Sequence, residues 1–149
     1  MPKAMRIHNA GGPEVLQWED VSVGDPGPGE ARVRHHVVGL NYTDVYHRRG
    51  QYPLPYPACL GNEASGVVEA VGAGVSSVKP GDRVAYAAVP IGAYCEVRNM
   101  PADRLVSLPE NISFEQAAAM MLRGMTVQYL IKRTYKAQPG DTVLWHAAA

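Results

Sequence analysis

Ser65-Gly66-Val67-Val68-Glu69-Ala70-Val71 and Arg83-Val84-Ala85-Tyr86-Ala87-Ala88, separated by Gly72-Ala73-Gly74 and Lys79-Pro80-Gly81-Asp82, decide the fold class of this chain. Each run is short, rich in β-branched residues or alternating in polarity, and closed off by Gly or Pro, which is the pattern of a strand between turns. Pro80-Gly81 suits the two central positions of a type II turn, because Pro presets φ at the first and Gly accepts a positive φ at the second. Working outward, residues 31–40 and 93–98 have the same strand character. Gly11-Gly12-Pro13, Asp25-Pro26-Gly27-Pro28-Gly29 and Tyr52-Pro53-Leu54-Pro55-Tyr56-Pro57 supply further turns. Short strands at this spacing predict a β-barrel or sandwich up to about residue 108. No internal repeat or low-complexity tract interrupts it.

The character changes after Pro109. Ser113-Phe114-Glu115-Gln116 has the form of a capping box, and Ile112 before it is placed to staple the first turn. Ala117 to Leu122 have strong helix propensity. Gly124 interrupts, and Val127, Leu130, Ile131 and Thr134 follow at helical spacing, which predicts a second helix. Pro139-Gly140-Asp141 is a turn, and Thr142-Val143-Leu144-Trp145-His146 is a compact strand-like run. A buried apolar strand in that position reads as the first strand of a parallel sheet. The expected division is therefore a β-rich domain over 1–124, then a linker helix and first strand of a truncated dinucleotide-binding domain over 125–149.

A chain of 149 residues is long enough to bury a core without staples. Hydrophobic residues make up 46% and charged residues 19%, with a formal net charge of zero, so no electrostatic footprint for nucleic acid or an anionic membrane exists. No apolar run approaches a membrane span, the start lacks the apolar stretch of a signal peptide, and the cytoplasm is the expected compartment. Cys59 and Cys95 are far apart in sequence and read as two reduced thiols, not as a disulfide or a zinc site.

Several motifs then coincide. Gly11-Gly12-Pro13-Glu14-Val15-Leu16, Gly39-Leu40-Asn41-Tyr42-Thr43-Asp44-Val45-Tyr46, Leu60-Gly61-Asn62-Glu63-Ala64-Ser65-Gly66-Val67-Val68-Glu69, Val71-Gly72-Ala73-Gly74-Val75 with Gly81-Asp82-Arg83-Val84, Ser113 to Ala119, and Gly124-Met125-Thr126-Val127 occur in order with family-like spacing. Together they resemble the NADPH:quinone oxidoreductases of the zeta-crystallin type, a zinc-free branch of the medium-chain dehydrogenase/reductase superfamily. His146-Ala147-Ala148-Ala149 is similar to the exit from the first strand of their cofactor domain. The resemblance implies a GroES-like β-barrel packed against a Rossmann domain, with NADPH in the cleft between them and hydride passing to a quinone. It also implies a homodimer for the full-length protein. The Gly-rich phosphate loop of the family follows the equivalent of Ala149, so this stretch alone is expected to bind NADPH weakly or not at all and to be inactive.

Zinc-dependent alcohol dehydrogenases of the superfamily hold their metal with a Cys-His-Thr-Asp-like and a Gly-His-Glu segment. The matching positions here read Asn41-Tyr42-Thr43-Asp44 and Gly61-Asn62-Glu63, and Asn offers neither thiolate nor imidazole. No metal is expected. A quinone is already electrophilic, so the protein has mainly to hold donor and acceptor face to face and to place hydrogen-bond donors near the developing oxyanion. The resemblance assigns Asn41, Tyr46, Tyr52 and Asn62 to the substrate side. It assigns Tyr42, Thr43, Asp44, Thr126, Tyr129 and His146 to the cofactor side.

Plainer roles stand beside these. Asn41 also suits a turn, Tyr52 a packing role in a Pro-rich loop, and Asp44 and Glu63 read as structural acceptors for barrel groups, backbone amides or a nearby Arg. His35 and His36, adjacent on a strand, point to opposite faces and cannot chelate one ion together. Gly72-Ala73-Gly74 is not followed by a helix and so is not a dinucleotide loop. Quinone reduction leads. A zinc-free enone or enoyl reductase is the enzymatic alternative, and an isolated non-catalytic GroES-like barrel is the alternative of another class.

Overall fold

A computed structural model describes residues 1–144 and His146. Eight strands dominate the described residues: β1 Lys3–Ile7, β2 Gln17–Asp20, β3 Glu30–Gly39, β4 Ala58–Cys59, β5 Glu63–Val71, β6 Arg83–Ala87, β7 Val97–Pro101 and β8 Val106–Ser107. Two helices accompany them, α1 Tyr42–Arg48 and α2 Phe114–Tyr129. The strands form a three-stranded sheet in the order β2-β1-β4 and a five-stranded sheet in the order β7-β3-β5-β6-β8, with antiparallel pairing throughout. The mainly β architecture expected from the turn spacing is present. Gly81 has the positive φ, +91°, that the Pro80-Gly81 turn requires.

Alternating residues of β3, β5, β6 and β7 point into one core. Val33, Ala64, Val68, Val84, Tyr86 and Met100 are all essentially excluded from solvent. A second cluster of Ile7, Ala58 and Leu60 lies under the small sheet. Burying each large apolar side chain stabilises the fold by roughly 1.5–3 kcal/mol.

Residues 93–98 were expected as one strand, but the segment divides its pairing. Tyr94 and Glu96 exchange backbone bonds with β1, through Met5 N–H to Tyr94 O at 2.7 Å and Glu96 N–H to Lys3 O at 2.9 Å. Regular pairing with β3 begins only at Val97. The segment thereby joins the two sheets.

Helix α2 starts as expected. The Ser113 hydroxyl accepts from Gln116 N–H at 3.2 Å, while Gln116 Oε1 accepts from Ser113 N–H at 2.9 Å. Its first turn is fastened to the barrel. Ser65 Oγ donates to Phe114 O at 2.6 Å, Arg83 donates to Ile112 O at 2.6 Å, and the Phe114 ring stacks on His36 at 4.4 Å. The expected break at Gly124 does not occur, because the helix runs through it to Tyr129 and ends in a π-turn over Leu130–Thr134. A helical Gly costs about 1 kcal/mol relative to Ala, which neighbours such as Met120, Leu122 and Met125 and a satisfied cap offset.

The strand expected at 142–146 is not formed over the described residues. Thr142, Val143 and Leu144 are irregular and exposed. A strand persists only where a neighbour takes its backbone groups, and no described segment pairs with this one. Trp145 and residues 147–149 lie outside the described residues.

His35 sits between the sheets. Its Nδ1 is 2.7 Å from Cys95 O and its Nε2 is 3.0 Å from Tyr86 Oη. A carbonyl only accepts, so Nδ1 carries the proton and the neutral ring accepts from the tyrosine. Burial, reinforced by the positive charge of Arg98, pushes its pKa down from 6.5 to about 4. The unfolded chain therefore binds a proton in the window between these values that the folded chain does not, and folding stability rises with pH across it. Urea midpoints are expected to fall between about pH 6.5 and about pH 4, and His35→Gln should flatten that dependence. An unchanged slope in the variant would assign the effect elsewhere.

Candidate active site

Two strand ends and one short helix build the site. β3 ends at Gly39, β5 begins at Glu63, and α1 starts just after Asn41. Gly39 is required by close approach, since a Cβ there would lie 2.4 Å from both Ala118 O and Glu63 Cγ. Its absence lets α2 and the Glu63 side chain close over the strand end.

Asn41 caps α1. Its backbone N–H donates to Asp44 Oδ2 at 2.9 Å, and the Asp44 N–H returns to Asn41 O at 3.0 Å. The Asn41 side-chain amide donates to Glu63 Oε1 at 2.6 Å. Glu63 is completely buried, and its second oxygen accepts from the backbone N–H of Leu122 in α2 at 2.7 Å. Asp44, also buried, accepts from the Asn62 amide at 2.5 Å and from the Tyr94 hydroxyl at 2.7 Å. Asn62 also donates to Thr43 Oγ1 at 3.2 Å.

The two asparagines thus turn amide donors onto two buried acidic side chains. The structural reading of Asp44 and Glu63 fits these contacts. Asp44 is served by barrel groups, and Glu63 by a backbone amide, with the Arg123 guanidinium 3.7 Å away. Arg123 also donates to Leu40 O at 2.8 Å, which ties α2 to the residue preceding Asn41.

An aromatic row stands beside this network. Tyr42 and Tyr46, one turn apart on α1, meet edge to face at 5.2 Å, and Tyr46 meets Tyr52 in the same manner at 5.4 Å. Tyr42 and Tyr52 are exposed, so the row presents ring surface and hydroxyls to solvent. Thr126 lies one turn beyond Leu122 on α2 and back-bonds to its carbonyl at 2.8 Å, with Tyr129 exposed a turn further on. His146 is placed elsewhere, in a hollow of about 370 Å³ with Leu130, Ile131, Tyr135 and Leu144. Asn41, Thr43, Asp44 and Asn62 are therefore brought together, the three tyrosines form a row, and His146 belongs to neither group. Among the described residues no three of His, Cys, Asp and Glu gather so as to hold a metal.

Tyr94 was missed in the sequence. Burial raises its pKa, and the hydrogen bond to Asp44 and the negative charge of Asp44 and Glu63 raise it further. Its ring packs on Gly61, where a Cβ would lie 2.4 Å from it, and Gly61 holds a φ of +99°. The available signal was a large aromatic with a polar tip following Gly92 and Ala93, whose hydroxyl requires a partner when buried.

The alcohol dehydrogenase GroES-like domain matches residues 27–110. A quinone oxidoreductase of Pseudomonas aeruginosa is 51% identical over 150 residues, 100% of this chain and 46% of that protein. A 2-haloacrylate reductase of Burkholderia sp is 45% identical over 155 residues, again 100% of this chain and 46% of that protein. The crystal structure of Escherichia coli quinone oxidoreductase complexed with NADPH superposes with a TM-score of 0.91 at 46% identity, covering 93% of this chain and 43% of that one. The chain spans about half the length of the curated relatives it matches.

Replacing Tyr94 by Phe removes one donor to a buried acceptor and is expected to lower folding stability by about 1–3 kcal/mol. Urea unfolding checks it. A loss well below that range would mean that water replaces the hydroxyl at Asp44.

Proposed function

The chain belongs to the family of the alcohol dehydrogenase GroES-like domain, with quinone oxidoreductases among its relatives, and on that footing we propose that it forms the substrate side of an NADPH-dependent, metal-independent quinone reductase. The observation that carries the reading is the Asn41 amide, held by Glu63 at the start of the helix that carries Tyr42 and Tyr46, whose ring row continues to Tyr52. A quinone is flat, apolar and edged with oxygens. Tyrosine faces and hydroxyls suit both parts of it.

NADPH, when bound, supplies the hydride. Tyr42 and Thr43 at the start of α1, with Thr126 and Tyr129 on α2, would hold its nicotinamide end, whereas Asp44, buried and with both oxygens already accepting, would serve by fixing the start of α1. His146 joins the nicotinamide-holding residues by resemblance alone. The Thr126 hydroxyl hydrogen is already given to Leu122 O, so its oxygen is left to accept from a carboxamide. Asn41 spends one amide hydrogen on Glu63, which fixes the direction of the other. That second hydrogen serves as the donor to the oxygen on which negative charge develops. Asn62, with its amide on Asp44 and Thr43, is a positioning residue for the start of α1. The donor set supports the absence of a metal. The positions that carry thiolate and imidazole in zinc enzymes here present amides turned toward carboxylates.

Reduction of an activated alkene is the second reading, favoured by the similarity to the 2-haloacrylate reductase. NADPH oxidation by the full-length protein, compared with a simple benzoquinone and with 2-chloroacrylate, separates the two. The quinone should be preferred, a chelator should leave the rate unchanged, and Asn41→Ala should lower kcat by about 10²-fold. Preference for the acrylate would overturn the quinone assignment.

Residues 1–149 taken alone are proposed to bind NADPH weakly or not at all, since they contain no Gly-rich loop opening a helix for the pyrophosphate. Calorimetric titration of this stretch should give negligible heat. Micromolar binding would show that the barrel side alone suffices.

A further inference from the structure

Cys59 and Cys95 are 36 positions apart in sequence, yet both lie along one edge of β1. Cys59 is paired with Arg6, and Cys95 takes over the same edge opposite Ala4. Positions two apart on a strand share a face. The two side chains therefore stand next to each other on that face, with Arg6 and Ala4 beside them. Cys59 Sγ lies 3.4 Å from Tyr94 O, the carbonyl directly before Cys95. A two-residue step along a strand edge is roughly 6.5 Å. A disulfide spans about 4.4–6.8 Å between Cα atoms. The spacing is within reach of a bond.

The surroundings differ for the two sulfurs. Both border a surface cleft of about 410 Å³ that Arg6 and Arg98 also line. Cys59 is part-exposed, whereas Cys95 is 7% exposed, with its thiol given to Gly92 O at 3.3 Å. The neighbouring Cys95 thiol and the charges of Arg98 and Arg6 favour the thiolate of Cys59. Interaction with Cys59 and burial hold Cys95 protonated. A partly exposed thiol that shares its cleft with two cations and is backed by a second thiol is the arrangement of an attacking and a resolving cysteine.

We propose that Cys59 and Cys95 are a reversible dithiol–disulfide pair, in which Cys59 reacts first with a low-molecular-weight disulfide and Cys95 resolves the product. The Cys59 thiolate attacks one sulfur of the disulfide, whose S–S bond breaks and releases one thiolate. Cys95 then attacks the Cys59 sulfur and expels the second thiolate. Two cysteine thiols are oxidised to one disulfide, the small disulfide is reduced to two thiols, and the two protons pass from the cysteines to the leaving groups. No active-site group takes part, so the pair stands or falls separately from the quinone assignment.

Glutathione disulfide is the probe. The full-length protein treated with it should lose two hydrogens in mass and yield, on non-reducing digestion, a peptide joining Cys59 to Cys95 that dithiothreitol cleaves. Cys95→Ser should instead stop at a stable glutathione adduct on Cys59. Cys59→Ser should react at Cys95 at least about tenfold more slowly. The proposal is overturned if the unsubstituted protein retains a glutathione adduct without forming the joined peptide, if it does not react, or if Cys95 proves the faster thiol. The peptide map of the unsubstituted protein decides the matter even where a variant folds poorly.

Discussion

The buried side chain of Glu63 is the constraint around which this half of the molecule is arranged. An acid completely removed from water is tolerated only when its oxygens are occupied, and here one takes the Asn41 amide and the other the Leu122 backbone N–H. Those two donors come from different elements, the cap of α1 and the middle of α2. The start of β5 thus fixes both helices relative to the sheet. Gly39 is the steric counterpart, since any side chain there would occupy the space of Glu63 and of the α2 backbone.

Asp44 repeats the principle one layer away. Its three donors arrive from the α1 cap, the loop before β5 and the segment that leaves β1 for β3. The acids are not placed as reacting groups. They orient the side-chain amides of Asn41 and Asn62, which donate to them. Removing either acid would leave several buried donors unsatisfied together, a larger penalty than the worth of any single bond.

The strand–turn alternation was legible because Gly and Pro punctuate it, and the cap at Ser113 because its chemistry is local. The asparagines at 41 and 62 were visible through the motifs that contain them. Their partners were visible only in outline, since which donor meets which oxygen depends on β3, β5 and α2 converging. Tyr94 escaped because its contact with Asp44 is made 50 positions away, across the switch between sheets. Gly124 misled in the opposite sense. Local propensity argued for a break, and the surrounding helix overrode a penalty of about 1 kcal/mol. The apolar run beginning at Thr142 has the composition of a strand, but composition cannot supply the neighbour that a ladder requires.

The bond from Leu122 to Glu63 also affects how the molecule comes apart. A helix amide satisfied by its own carbonyls can open as the helix frays, independently of the rest of the protein. One satisfied by a side chain from a central strand is released only when that strand end moves as well. The middle of α2 and the start of the central strand β5 therefore share a single opening event. Slow solvent exchange at this helical amide would report the integrity of the barrel.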